Sequence, residues 1–266
     1  MQNNTAELIT KAKNLVVDEI TYKSARLNKR GGKNVALQKD GKKLIVQFPK
    51  LTTWGLNERV DDTTGRVSYD LNLQFDDTPS SQDFLEKVKQ LQEKLLDDSV
   101  IHCKEWFGKN KMSREVAENL MYPLLRYPKN KETQEFDYTR HPTMKLKVPY
   151  WDEKFSVELY DSDKNMVFDP NSSDNLSTPL DLVPSRSKLK GLIENGGIWF
   201  AGGRYGVTWK LLQAQIETPV TIKGFCMLDD SDDDEDKSSD SEQEVKPKKK
   251  VVRKKKKKKV SAELNE

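Results

Sequence analysis

Two alternating runs joined by Gly202-Gly203 constrain the fold of this chain more than any other feature. An apolar run, Ile198–Phe200, precedes the two glycines. After them, four apolar residues alternate with four that are polar or small: Tyr205, Val207, Trp209 and Leu211 against Arg204, Gly206, Thr208 and Lys210. A period of two is typical of a half-buried strand, and Gly-Gly supplies the positive φ angles that a two-residue turn needs. We therefore predict a β-hairpin that ends near Pro219, because proline cannot donate to a strand ladder.

The outer face predicted for this hairpin carries cations beside aromatic rings. No acidic residue interrupts it before Glu217. A phosphate chain with exposed bases would suit such a face, since single strands are held by cations along the backbone and by aromatic stacking.

Similar alternation predicts further strands at Val67–Phe75 and Met144–Val148, and Asp40-Gly41 predicts a tight turn between two short strands. We also predict a strand at Leu15–Tyr22. Phe155–Tyr160 is predicted to be the hairpin partner of Met144–Val148. The segment Pro49–Asn57 is predicted to be a loop that carries an exposed Trp54.

The helical signals lie in one block in the middle of the chain. After Pro79, apolar residues recur at helical spacing from Phe84 to Leu96, and a second helix is predicted near Ser113–Met121. Many strands around one helical block favour an antiparallel barrel over a βαβ sheet. We predict a mainly β protein with an OB-like barrel, whose helix falls between the third and fourth strands.

The net charge of +3 hides a strong asymmetry at the carboxyl end. Residues 229–244 contain ten acids and one lysine, whereas residues 246–260 contain eleven cations and no acid. A segment without an apolar face should be disordered. We therefore predict a folded domain over residues 1–228, a disordered acidic segment over 229–245 and a disordered lysine-rich tail over 246–266.

Several functional classes lack support in the sequence. Cys103 and Cys226 provide neither a disulfide framework nor a zinc site, and two free thiols suit a reducing, intracellular compartment. The segment from Asp161 begins like a calcium loop but has Met166 where glycine is needed and Ser172 where a bidentate glutamate is needed. With no recognisable acid/base pair either, we predict no enzyme, no metal and no cofactor. We also expect no membrane anchor and no secretory signal.

The candidate binding residues are cations and aromatic residues of the predicted barrel. The backbone-binding candidates are Arg66, Lys145, Lys147, Arg204 and Lys210, and the base-stacking candidates are Trp54, Trp151 and Tyr205. Core packing is the alternative for each aromatic residue, and the alternation makes it stronger for Tyr205. The tail cations Lys248, Lys249, Lys250, Arg253, Lys254 and Lys255 have three interpretations, namely a nuclear localisation signal, a non-specific DNA clamp or a solubilising tail.

Residues 142–151, 154–161, 197–200 and 203–211 together resemble one family of proteins. The pattern is similar to that of the single-stranded DNA-binding proteins of nucleocytoplasmic large DNA viruses, which are thought to be related to those of short-tailed phages. The resemblance covers about residues 15–228 by pattern. It implies an OB-fold that coats single-stranded DNA at replication forks and has no catalytic activity.

The resemblance also implies a role for the acidic segment at Asp229–Glu244. In the phage relatives an acidic tail competes with DNA and recruits replication proteins, although here a lysine block follows it. A host nucleus or a viral replication factory is the expected location, and a homo-oligomer and RNA binding are left open. A virion or replication-complex interaction module, whose basic tail alone binds nucleic acid, is the alternative function.

Overall fold

The computed structural model describes residues 5–27, 31–219 and 227. Its centre is a barrel of five strands, which we label β1 (Ile45–Val60), β2 (Val67–Gln74), β3 (Thr143–Val148), β4 (Lys188–Ala201) and β5 (Arg204–Glu217). Antiparallel pairing joins β1 to β2, β2 to β3, β5 to β4 and β4 to β1. Parallel pairing of β3 with β5 closes the ring.

The prediction of a mainly β fold with a helix inserted in mid-chain is confirmed. Two details of that prediction were wrong. The contact between β3 and β5 is parallel, and the helical block lies between β2 and β3 instead of between the third and fourth strands. Local alternation identifies a strand but carries no information on which distant strand it pairs with, so neither detail could be obtained from periodicity.

The helices are α1 (Pro79–Ile101), α2 (Cys103–Phe107), α3 (Arg114–Leu120) and α4 (Pro179–Leu182). All the apolar residues that predicted α1 are buried against the core: Phe84, Leu85, Val88, Leu91, Leu95 and Leu96. The Ser113 hydroxyl caps α3 by accepting a hydrogen bond from the Val116 N–H at 3.3 Å. Both predicted helices are confirmed, because each apolar stripe has a sheet or a helix to cover.

Shorter elements surround the barrel. The short strands are Ile9–Lys11, Ile20–Tyr22, Arg26–Leu27, Lys33–Val35, Leu37–Lys39, Lys42–Lys43, Leu125–Arg126, Tyr150–Trp151, Lys154–Phe155, Glu158–Tyr160 and Met166–Phe168, and the 3₁₀ turns are Thr5–Leu8, Ala12–Asn14 and Val17–Glu19. The strand predicted over Leu15–Tyr22 is therefore mostly turn. The predicted hairpin of Phe155–Tyr160 with β3 was wrong, because Lys154–Phe155 pairs with Tyr150–Trp151 and Glu158–Tyr160 pairs with β5.

The hairpin of β4 and β5 is confirmed. Gly202 and Gly203 have φ angles of 56° and 74°, Ala201 faces Arg204, and β5 ends at Glu217. Both central residues with positive φ match the type I′ turn that suits the twist of paired strands. The hairpin thus holds two of the five barrel strands in register.

The loop predicted over Pro49–Asn57 was wrong, because this segment lies within β1. Two register shifts accommodate it: one on the β4 side near Pro49 and one on the β2 side between Thr53 and Leu56. A bulge tolerates a residue that cannot donate to the ladder, which explains how proline is accepted there. Trp54 lies at the second bulge and is exposed, as predicted.

The acidic segment and the lysine-rich tail lie outside the described residues, and so does the proposed boundary at residue 228. Within the described residues, none of the helices combines the length and the apolar composition that a membrane span requires.

Candidate nucleic-acid interface

A groove of about 350 Å³ lies on the outer face of the barrel, between β3, the β4–β5 hairpin and the segment after α3. We call it the basic groove. Its cations are Arg126, Lys145 and Lys147, and its aromatic residues are Tyr122, Trp199 and Trp209. The two lysines face outward because alternate residues of β3 are buried in the core.

One wall of the basic groove is built from residues that were not predicted as binding residues. The Arg126 guanidinium lies 4.9 Å from the ring centroid of Tyr122, and the Tyr122 ring lies 6.1 Å from that of Trp199. The Tyr122 N–H donates to the Tyr205 carbonyl at 2.7 Å, which ties this wall to β5. The loop from Tyr122 to His141 is rich in cations and aromatic residues, and that composition was the available signal.

Cations concentrate at one end of the basic groove. Lys147 is the cross-strand neighbour of Lys210 on β5, and it lies close to Arg66 and Lys145. Desolvation by the groove walls lowers the pKa of Lys147, and the positive charges of these three neighbours lower it further. The hairpin as predicted carried no acid in this region. Because β4 begins earlier than predicted, Glu194 also belongs to the hairpin and lies opposite Lys210. Glu194 is bound to Lys43 at 3.1 Å.

A buried carboxylate lies among these cations. Asp70 of β2 has a side chain only 4 % exposed, and its Oδ2 atom accepts from Arg59 Nε and from Lys145 Nζ, each at 2.6 Å. Asp70 Oδ1 is buried and has no hydrogen-bond partner among the described residues. Neither Arg59 nor Asp70 was selected from the sequence, because the contact depends on the pairing of β1, β2 and β3.

Exposed tryptophans lie near both ends of the basic groove. Trp54, 52 % exposed, lines a neighbouring pocket of about 570 Å³ that shares Arg126 with the groove. Trp151, 59 % exposed, lies beneath the guanidinium of Arg66, which is 4.8 Å from the ring centroid. Cations and accessible rings therefore follow one another along this face.

Two of the predicted site residues lie elsewhere. Tyr205 is 1 % exposed and packs against Phe107 and Phe200, and its hydroxyl donates to Ser99 Oγ at 3.1 Å. Burial raises its pKa. Because no base can reach this ring, its assignment as a stacking residue was wrong. Arg204 is exposed at the start of β5, directly after the β4–β5 turn, and does not line the basic groove.

The remaining candidates give no second site within the described part of the chain. The tail cations Lys248, Lys249, Lys250, Arg253, Lys254 and Lys255 lie outside the described residues. The carboxylate of Asp161 accepts hydrogen bonds from the N–H groups of Asp163 and Asn165, so it stabilises a turn. Within the described part of the chain, no three His, Cys, Asp or Glu side chains converge as metal ligands.

No protein-family model matches the chain, and no curated protein matches it in sequence. Its fold is similar to that of gp2.5, a single-stranded DNA-binding protein encoded by bacteriophage T7, with a TM-score of 0.41, 13 % identity, and coverage of 69 % of this chain and 91 % of that one. It is also similar to the single-stranded DNA-binding protein of bacteriophage Enc34 in complex with single-stranded DNA. That likeness has a TM-score of 0.36, 9 % identity, and coverage of 77 % of this chain and 96 % of that one.

Proposed function

We propose that this chain is a non-catalytic single-stranded DNA-binding protein and that the strand lies along the basic groove. One observation carries the proposal: cations and accessible aromatic rings follow one another on a continuous outer face of the barrel. Non-specific binding of a single strand needs this combination, since cations hold the phosphates while aromatic rings stack on the bases.

The position of this face supports the proposal. In OB-type barrels, oligonucleotides bind across the second and third strands and the loops that join strands 1 to 2 and 4 to 5. Here Lys145 and Lys147 lie on β3, Arg66 lies in the loop between β1 and β2, and Arg204 directly follows the turn between β4 and β5. Three of the predicted cations thus fall on the elements that would contact a strand, and Arg204 lies next to a fourth.

The aromatic residues favour single-stranded over duplex DNA. Trp54 and Trp151 can stack only on base faces that are open, and the bases of a duplex cover one another. Titrations with single-stranded RNA in place of DNA would show whether the basic groove distinguishes the two sugars.

The biological setting is part of the proposal and rests on the family resemblance of the sequence. The protein would coat and protect single strands during viral DNA replication, recombination or repair, in a host nucleus or a viral replication factory. The acidic segment at 229–245 would recruit replication proteins, and the lysine-rich tail would add salt-sensitive affinity for nucleic acid.

Charge reversal in the basic groove tests the proposal. Lys147→Glu in the full chain should weaken binding to a single-stranded oligonucleotide about tenfold, because it removes a phosphate contact and repels the backbone. The slope of log affinity against log salt should fall by about 0.7 for each phosphate that is no longer neutralised. Lys89→Glu makes the same charge change on α1, away from the groove, and should change neither quantity. Equal effects of the two variants would contradict the proposal.

Removal of residues 229–266 separates this proposal from the interaction-module alternative. If the barrel binds DNA, single-strand affinity survives the deletion, and tryptophan fluorescence is still quenched. If the tail alone binds nucleic acid, the deletion abolishes binding to single strands and duplexes alike. Fluorescence anisotropy with both DNA forms, at low and moderate salt, distinguishes the two results.

A further inference from the structure

The outer face of β1, β2 and β3 carries one buried acid in a field of cations. Asp70 contacts Arg59 on one side and Lys145 on the other, both through its Oδ2 atom. A carboxylate beside a phosphate-binding surface would ordinarily repel the ligand. Its place in this structure therefore needs an explanation other than net charge.

The geometry of Arg59 provides that explanation. Its Nε atom donates to Asp70 Oδ2, which leaves the end-on edge of the guanidinium, formed by its two Nη groups, without a hydrogen-bond partner among the described residues. The Arg59 side chain is 57 % exposed although its partner is buried. Two parallel N–H donors at the outer edge of a guanidinium match the oxygens of a phosphate.

Lys145 is held in a similar way. Its ammonium reaches Asp70 diagonally across the β2–β3 ladder, since Asn72 is its direct cross-strand neighbour. The lysine side chain keeps 27 % exposure and lines the basic groove. An ammonium has three donors, so one bond to Asp70 leaves two for a ligand.

We infer that Asp70 is a positioning residue that holds Arg59 and Lys145 as a subsite for backbone phosphate, an inference that rests on the proposed function. Two long side chains that are already ordered lose less rotamer entropy when a phosphate binds. The negative charge of Asp70 is buried and shared by both cations. The strand therefore meets the outer edges of the two cations and not the carboxylate.

The sign of one substitution separates this role from simple electrostatics. Asp70→Asn removes a negative charge from the binding face, so electrostatics alone predicts tighter binding. Positioning predicts binding about tenfold weaker, roughly the loss of one charge-assisted hydrogen bond, with a shallower salt dependence. Anisotropy titrations of the full chain with an oligonucleotide of mixed sequence, at three salt concentrations, measure both quantities.

Glu194→Gln is the matched control. Glu194 also lies on a barrel strand, opposite a lysine of the same face, and is bound to a cation, but that cation, Lys43, does not line the basic groove. Its neutralisation should leave binding unchanged or tighten it about twofold. If Asp70→Asn binds as tightly as the wild type or behaves like Glu194→Gln, the positioning role is wrong.

Two further measurements keep the inference testable if Asp70→Asn folds poorly. Arg59→Lys keeps the positive charge but loses the paired N–H donors of the guanidinium, so DNA affinity should fall several-fold while the melting temperature changes little. An Arg59→Lys variant with wild-type affinity would overturn the phosphate role of Arg59. The Lys147→Glu variant shows which of the two hypotheses has failed, the proposed function or the positioning role of Asp70. If it leaves binding intact, the proposed function itself fails, whereas if only Asp70→Asn lacks the expected effect, the positioning role fails alone.

Discussion

Two grooves on this molecule differ in how their charges are arranged. The basic groove has a volume of about 350 Å³, and a second groove of about 640 Å³ lies between α1 and the segment around Val17. We call the second one the helix groove. Its lining mixes five acids with three lysines, and several of these charges are paired: Lys94 binds Asp98 at 2.9 Å, and Arg114 of α3 binds Glu93 and Asp97. Lys147 of the basic groove, in contrast, forms no ion pair with a described residue, although Asp70 lies directly across the β2–β3 ladder and attracts its charge.

The difference teaches that size does not identify a nucleic-acid site. The larger groove has both signs of charge side by side and no aromatic residue among its described lining. The basic groove is lined by cations, and Asp70 is the acid buried beneath them. Exposed tryptophan rings lie near both of its ends. Charge that is left unpaired at a surface attracts a polyanion, whereas charge that is paired locally stabilises the fold at most weakly.

The largest effect should come from removing the two exposed rings beside the basic groove. Trp54→Ala with Trp151→Ala should weaken single-strand binding by about 1–3 kcal/mol for each base that loses its stacking partner. Quenching of tryptophan fluorescence by DNA should fall in parallel. Fluorescence and anisotropy titrations of the double variant measure both changes.

Val16→Ala is the control for this pair, because Val16 is an exposed apolar residue of the helix groove. It should leave affinity unchanged. Since both tryptophans are more than half exposed, the double variant should also keep its melting temperature. Unchanged affinity in a folded double variant would show that binding is purely electrostatic and that the stacking assignment is wrong.

A buried ring of the same hairpin should give the opposite result. Tyr205→Phe removes the hydroxyl that donates to Ser99, which links β5 to α1. We expect a loss of about 0.5–1.5 kcal/mol in the free energy of unfolding and no change in DNA affinity. Urea denaturation and anisotropy test the two parts. Weaker DNA binding at unchanged stability would show that Tyr205 contributes to the DNA-binding site after all.

These contrasts show which features a single sequence reveals. The hairpin at Gly202-Gly203 and helix α1 were predictable, because each depends on periodicity within one short segment. Tyr205 shares its strand face with Trp209, so the alternation already favoured core packing for both residues. The cations on β3 were predictable for the same reason: they alternate with three residues that must be buried.

The features that the sequence concealed depend on contacts between distant segments. Pro49 and a bulge interrupt the pattern of β1, so a long strand resembles a loop until its partners β2 and β4 are known. Arg59, Asp70 and Lys145 occupy ordinary outward positions on three separate strands. Only the register of the barrel brings both cations to within 2.6 Å of the same carboxylate oxygen, and propensity carries no information on that register.

The paired charges of the helix groove should contribute little when removed. Arg114→Ala breaks the contacts with Glu93 and Asp97 that join α3 to α1. Because all three side chains are substantially exposed, we expect a loss of about 0.2–1 kcal/mol in unfolding free energy. DNA affinity should not change. A clear loss of affinity would mean that the helix groove, and not the basic groove alone, contributes to binding.

The smallest expected effect is a pH dependence that belongs to Lys147. Its pKa is lowered by desolvation and by the charges of Arg66, Lys145 and Lys210, and the carboxylate of Asp70 across the ladder opposes this shift in part. A bound phosphate favours the protonated ammonium, so single-strand affinity should fall as the pH rises through the lowered pKa and should be flat below it. Stability responds with the opposite sign. Between the lowered and the ordinary lysine pKa the unfolded chain holds the extra proton, so this group's contribution to stability increases with pH across that window.

Lys147→Arg isolates the pH dependence due to Lys147, because the wild type and the variant share all the other lysines. The guanidinium stays charged throughout the accessible range, so the variant should bind at neutral pH about as well as the wild type and lose less affinity in alkaline solution. Matched anisotropy titrations from neutral to alkaline pH, at constant salt, give the difference between the two slopes. Identical slopes would mean that the proton of Lys147 is not linked to DNA binding. The cations of the two grooves would then differ only in where they lie on the molecule.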